Sequence, residues 1–157
     1  MQAKPAFALA RHDAAMDALV AVTDHRTLAV WAADCAARVL PYFTEAYPDD
    51  PRPGAALTTL QAWIATGAFR MATIRGASLG AHAAARDVGA DTPARSAARA
   101  AGQAVATAHV RTHAPGAAIY AQQARHRAAP PDDAAAAVAR ERDWQVAHLE
   151  ALRAASA

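Results

Sequence analysis

Alanine decides what this chain can become. Four alanines run together at 134–137, three at 83–85, and the residue recurs in pairs almost everywhere, to 51 of 157 positions. Alanine is the strongest helix former and leaves helices room to approach closely. β-Branched residues are few and no stretch alternates apolar with polar, so strands are not expected. The hydrophobic fraction of 54% therefore overstates the core, because most of it is alanine. Such a chain builds its interior from close helix contacts with a few large fillers. Trp31, Trp63 and Trp144 are the natural ones.

The pattern predicts an all-α, single-domain bundle of about five main helices with short loops, hence antiparallel neighbours. The first helix starts at Thr23 or Asp24 and runs to about Ala46, with Leu28, Trp31, Cys35, Val39 and Tyr42 along one stripe. Pro41 should kink or break it near Leu40. After "YPDDPRPG" at 47–54, a second helix covers about 53–67, with Asp50 available as its cap. A third covers about 72–88 and stops at Gly89. A fourth begins near Pro93 and reaches toward Arg127, with a kink at Pro115. A fifth follows Asp132 or Asp133 and runs to about 153. Residues 23–157 thus form the helical domain, and 1–22 an extension with room for a short helix at 12–21.

Composition narrows the function classes. Sixteen basic against fourteen acidic residues leave a formal charge of +2. That gives no footprint for nucleic acid. Residues 1–22 have charges at Arg11, Asp13 and Asp17 inside their apolar runs, so neither a signal peptide nor a membrane span is expected. The single cysteine, Cys35, allows no internal disulfide and suits a cytoplasmic location.

The chemistry-bearing residues gather in "ATAHVRTHAPGAAIYA", 106–121. On one continuous helix, Gly102, Val105, Ala106, His109, His113, Gly116 and Tyr120 would share a face. Ser78, His82 and Arg86 would share a face of the third helix. Asp34 and Arg38 form an i,i+4 acid–base pair on the first. Together these suggest a polar pocket of Trp31, Asp34, His82, Arg86, His109, His113 and Tyr120. His109 and His113 could act as acid and base on a small anionic ligand anchored by Arg86, as in a small enzyme of specialised metabolism or self-resistance. Equally, the same groups could bind a partner without chemistry, or merely satisfy a polar core with function on the outer surface. "HVRTH" lacks the glutamate of a zinc-protease helix, so no metal and no cofactor are expected. No nucleophile elbow or phosphate loop occurs. Alanine faces in excess could also pack a second copy, making a homodimer.

Several stretches carry a resemblance when taken in order. "TDHRTLAVWAADCAARVLPYFTEAYPDDPRP" (23–53), "GAHAAARDVG" (80–89), "ARAAGQAVATAHVRTHAPGAAIYA" (98–121) and "ERDWQ" (141–145) resemble a family of small alanine-rich bacterial proteins catalogued as putative immunity proteins, some mislabelled as exonuclease subunits. The resemblance implies an all-α fold and neutralisation of a cognate toxin. It highlights Trp31, Asp34, Cys35, Asp50, Arg52, His82, Arg86, His109, His113, Tyr120 and Trp144. The chain departs from the family at Gln103, where histidine is more usual, and at Pro115, where a helix former is.

Overall fold

The computed structural model describes residues 3–7 and 13–157. Among them every regular element is a helix, with no strand. The elements are α1 (Ala14–Ala21), α2 (His25–Val39), α3 (Pro41–Ala46), α4 (Arg52–Thr66), α5 (Met71–Val88), α6 (Pro93–Ala106), a 3₁₀ turn (Arg111–His113), α7 (Ala114–Ala128) and α8 (Ala134–Ser156). The start expected for the first short helix, near residue 12, lies outside the described residues.

Local chemistry sets most boundaries. Asp24 caps α2, its carboxylate accepting from the Thr27 amide at 2.9 Å. Pro41 ends α2 and opens α3, since its ring suits a first turn and no other helical position. Gly67 and Gly89 close α4 and α5 at φ 69° and 72°, a left-handed conformation that a Cβ would strain. Asp133 precedes α8 but does not cap it. Its carboxylate takes Arg140 instead, at 2.9 Å.

The centre of the bundle is α6. Its buried residues are Ala94, Ser96, Ala97, Ala98, Ala100, Ala101, Gly102, Ala104 and Val105, so nothing larger than valine is buried along it. It packs on α5 and α7 above all, and also on α2, α3 and α4. Around this thin rod, Leu28, Trp31, Val39, Phe43, Leu60 and Leu149 supply the volume, each almost fully buried. Trp63 and Trp144 only border the core, unlike Trp31. Lys4 donates to the carbonyls of His126 and Arg127 at 3.0 and 2.9 Å, pinning residues 3–7 to the C-terminal end of α7.

Two expectations are corrected. The long fourth helix does not exist: α6 ends at Ala106, Val110 is extended at φ −136°, and α7 restarts at Ala114. A continuous helix would set the Pro115 ring against the Arg111 carbonyl and lose a hydrogen bond there. Restarting at Ala114 puts Pro115 in a first turn, where the missing N–H costs nothing. His109 and His113 therefore sit in a connection and not on one helical face. The Asp34–Arg38 pair does not form either. Asp34 takes His148 at 2.7 Å and Arg38 takes Glu141 at 2.6 Å, because α8 brings better-aligned partners than the next turn of α2 offers.

Candidate functional site

The segment 107–113 is held firmly although it is not helical. The Arg111 guanidinium reaches the carbonyls of Val20, at 3.1 Å, and Thr23. His25 Nε2 lies 2.5 Å from the Thr107 carbonyl, and its ring packs on Trp63 at 5.0 Å. Arg111 thus points toward the α1–α2 connection, leaving His109 and His113 to face α5.

There the two imidazoles line an open groove of about 380 Å³ with Met71, Ile74, Arg75, Ser78, Leu79 and Ala106. His109 is exposed, and its ring stacks on Phe69 at 6.3 Å and 21°. His113 is half-buried. Its Nδ1 donates to the Gln103 amide oxygen at 2.9 Å, which leaves Nε2 as an acceptor in the neutral ring. Ser78 spends its hydroxyl on the Gly102 carbonyl, at 3.0 Å, so no serine–histidine pair assembles here.

His82 sits behind the groove and has a different electrostatic state. An Arg99 N–H donates to its Nδ1 at 2.9 Å. Burial, then the charges of Arg99 and Arg86, push its pKa down to about 4. It is a neutral acceptor at ordinary pH. The ring fits only because position 102 is glycine: a Cβ there would stand 2.7 Å from His82 Nε2. Gly116 does the same for Gln103, whose amide oxygen would lie 2.9 Å from an added Cβ. The two glycines that flank the histidine pair in sequence therefore make room for its supporting side chains.

The other expected site residues lie elsewhere. Trp31 is fully buried and donates its indole N–H to the Gln145 carbonyl at 2.9 Å. Asp34 faces α8 through His148, which stacks on Trp144 at 4.6 Å. Arg86 is exposed beyond the groove, and Tyr120 is partly buried against the hydrophobic core. So α2 gives the groove no wall, contrary to the sequence reading, because α6 stands between α2 and α5. Cys35 is buried, and burial pushes its thiol well up, so it stays protonated. Among the described residues, no three His, Cys, Asp or Glu side chains are grouped to hold a metal. No described helix is long and apolar enough to cross a membrane.

Sequence reasoning missed four contributors here: Phe69, Met71, Leu79 and Gln103. The first three are large apolar side chains standing exposed at 45%, 41% and 57%. A signal for two of them was present. Met71, Arg75 and Leu79 are spaced four apart on the third helix, an apolar pair on a face that has no core to meet. Gln103 entered only as a departure from a family pattern, whereas it is the residue that orients His113.

A family model described as Imm-5 like putative immunity protein matches residues 18–152. The chain belongs to that family. The match spans α2 through α7 whole, with the second half of α1 and most of α8, so the groove and its supports all lie inside it. No curated protein and no solved structure matches significantly. An immunity-type role follows from the family in general terms.

Proposed function

We propose that this immunity-family protein binds a toxin polypeptide on the face made by α5, the 107–113 connection and the α4–α5 turn, and neutralises it by covering it. One observation carries the reading. Of the five large apolar side chains that stand exposed among the described residues, Met71 and Leu79 border the histidine groove and Phe69 lies against His109. Monomeric domains seldom leave such groups clustered unless something docks there. Aromatic and arginine anchors are also the usual hot-spot types. The rim carries Arg70 and Arg75, so a partner with acidic residues around an apolar loop fits best. An open surface groove takes a protruding loop more readily than it encloses a small molecule. The protein works in the cytoplasm, where Cys35 stays reduced.

The test is co-expression with the product of the neighbouring reading frame, scored by growth rescue and by co-elution. Leu79→Arg should abolish both while leaving the melting temperature alone, since the side chain is largely solvated already. Rescue that survives Leu79→Arg and His109→Ala together would move the interface away from this face.

A further inference from the structure

On the far side of the bundle, where α2 and α3 meet α7 and α8, lies a second groove of about 390 Å³ that the toxin-binding reading does not use. Its centre is Glu141, only 2% exposed. That buried carboxylate holds two guanidiniums: Arg38 through Nε at 2.6 Å and a second nitrogen at 3.3 Å, and Arg125 through Nε at 3.0 Å. Arg38 also lies over the Trp144 ring at 3.8 Å. Arg125 donates onward to the Tyr42 hydroxyl at 3.0 Å. Both arginines are thus fixed, yet their side chains remain 35% and 29% exposed at the groove.

The balance of donors and acceptors has a direction. Glu141 spends both carboxylate oxygens on the arginines. The remaining terminal nitrogen of Arg38 has no acceptor among the described residues. The Tyr42 oxygen accepts from Arg125, which leaves its own O–H free to donate. Arg140, paired with Asp133, stands at the rim. Three arginines against Glu141 and Asp133 leave a charge of about +1 over a floor of Ala128, Ala129 and Ala137. The small floor residues give space, and the walls give donors.

We propose that this groove is a receptor for a small oxyanion, a carboxylate or phosphate group carrying about one negative charge. Planar guanidiniums held in place match either group with paired N–H donors. Glu141 is the positioning residue: it orients Arg38, whose remaining terminal nitrogen stays open, and Arg125, whose terminal nitrogens donate to the Tyr42 hydroxyl and, at 3.4 Å, to the Arg38 carbonyl and keep one N–H each for a ligand. Arg38, Arg125 and Tyr42 touch the anion, and Arg140 supplies field. The site is independent of the toxin-binding face and of whether that reading holds. The competing role for these residues is purely to tie α2, α7 and α8 together.

The full-length protein is titrated at low ionic strength with inorganic phosphate and, separately, with malonate, following tryptophan emission, because Trp144 lies directly beneath Arg38. Sodium chloride at matched ionic strength is the reference. A saturable change with phosphate, with malonate or with both, absent with chloride, supports the site, and the two arms tell which oxyanion it prefers. Arg140→Gln and Tyr42→Phe should each weaken the binding about 3- to 10-fold, one charge or one hydrogen bond being lost. Both variants should keep the wild-type melting temperature within a few degrees: Arg140 is 65% exposed, and phenylalanine keeps the Tyr42 ring. No saturable response with either anion overturns the proposal. So does a response that neither variant moves.

Discussion

Two polar regions of this bundle are built on opposite plans. Between α2, α7 and α8, the buried side chains of Trp31, Glu141 and Gln145 are all hydrogen-bonded across helices. Gln145, fully buried, donates to the Ala118 carbonyl at 2.8 Å, accepts from Gln122 at 2.8 Å and offers its backbone carbonyl to Trp31. Beside α5, the polar groups are half-solvated, joined by separate hydrogen bonds and seated in glycine clearances. His82, Gln103 and His113 occupy space that Gly102 and Gly116 leave open. The first region has the marks of a stabilising core, since a satisfied buried network fixes one packing. The second presents side chains outward on a rigid base, which is what recognition needs.

Experiments can break or sharpen that contrast. The largest effect belongs to the network. Trp31→Ala empties a fully buried site and leaves the Gln145 carbonyl without its donor, so it should cost about 3–5 kcal/mol in denaturant unfolding. A loss under 1 kcal/mol would mean that the close alanine contacts, and not the large fillers, hold the core.

Next comes the clearance at α5. Gly102→Ala drives a methyl to within 2.7 Å of the His82 ring, so the ring must move or α5 must retreat from α6. Alanine's better helix propensity gains only about 1 kcal/mol in return. The expected net is a loss of about 1–2 kcal/mol, together with disturbed His113 chemical shifts. A stabilised variant would show that the glycine is not making room for the ring.

Acid sharpens the same point. The folded pKa of His82, about 4, lies below its ordinary 6.5, so the unfolded chain binds the extra proton. This contribution is complete above pH 6.5 and is lost as pH falls from 6.5 through 4. Partial solvation of the ring screens the effect, which should then amount to about 1 kcal/mol. His126 is shifted in the same direction by burial, so the useful quantity is the difference between wild type and His82→Gln across that window. Parallel curves would mean that His82 is not the residue responsible.

The smallest stability effect belongs to the histidine pair itself. Removing His109 and His113 together should change stability by under about 1 kcal/mol, because one ring is exposed and the other makes a single neutral hydrogen bond. A drop of several kcal/mol would turn the pair into structural residues and transfer the α5 face to the core side of the comparison.

How much of this was legible beforehand depends on how local the cause was. The cap at Asp24, the break at Pro41, the stops at Gly67 and Gly89, and the buried stripe from Leu28 to Val39 all follow from one or two neighbouring residues. They were readable for that reason. The break before Pro115 had a local cause as well, but its position did not. The connection that replaces the kink is held by Arg111 on the Val20 and Thr23 carbonyls, which belong to another part of the molecule.

Alanine by itself determined that the chain is a helical bundle with close contacts, because propensity and side-chain size act residue by residue. Only the tertiary structure decided which polar groups meet. It sent Asp34 to His148 and Arg38 to Glu141, and placed α6 between Trp31 and the α5 groove. A charged or imidazole side chain takes whichever partner arrives within hydrogen-bonding reach, and helices distant in sequence deliver those partners. Spacing along one helix names the neighbours a residue could have; packing chooses among all the others.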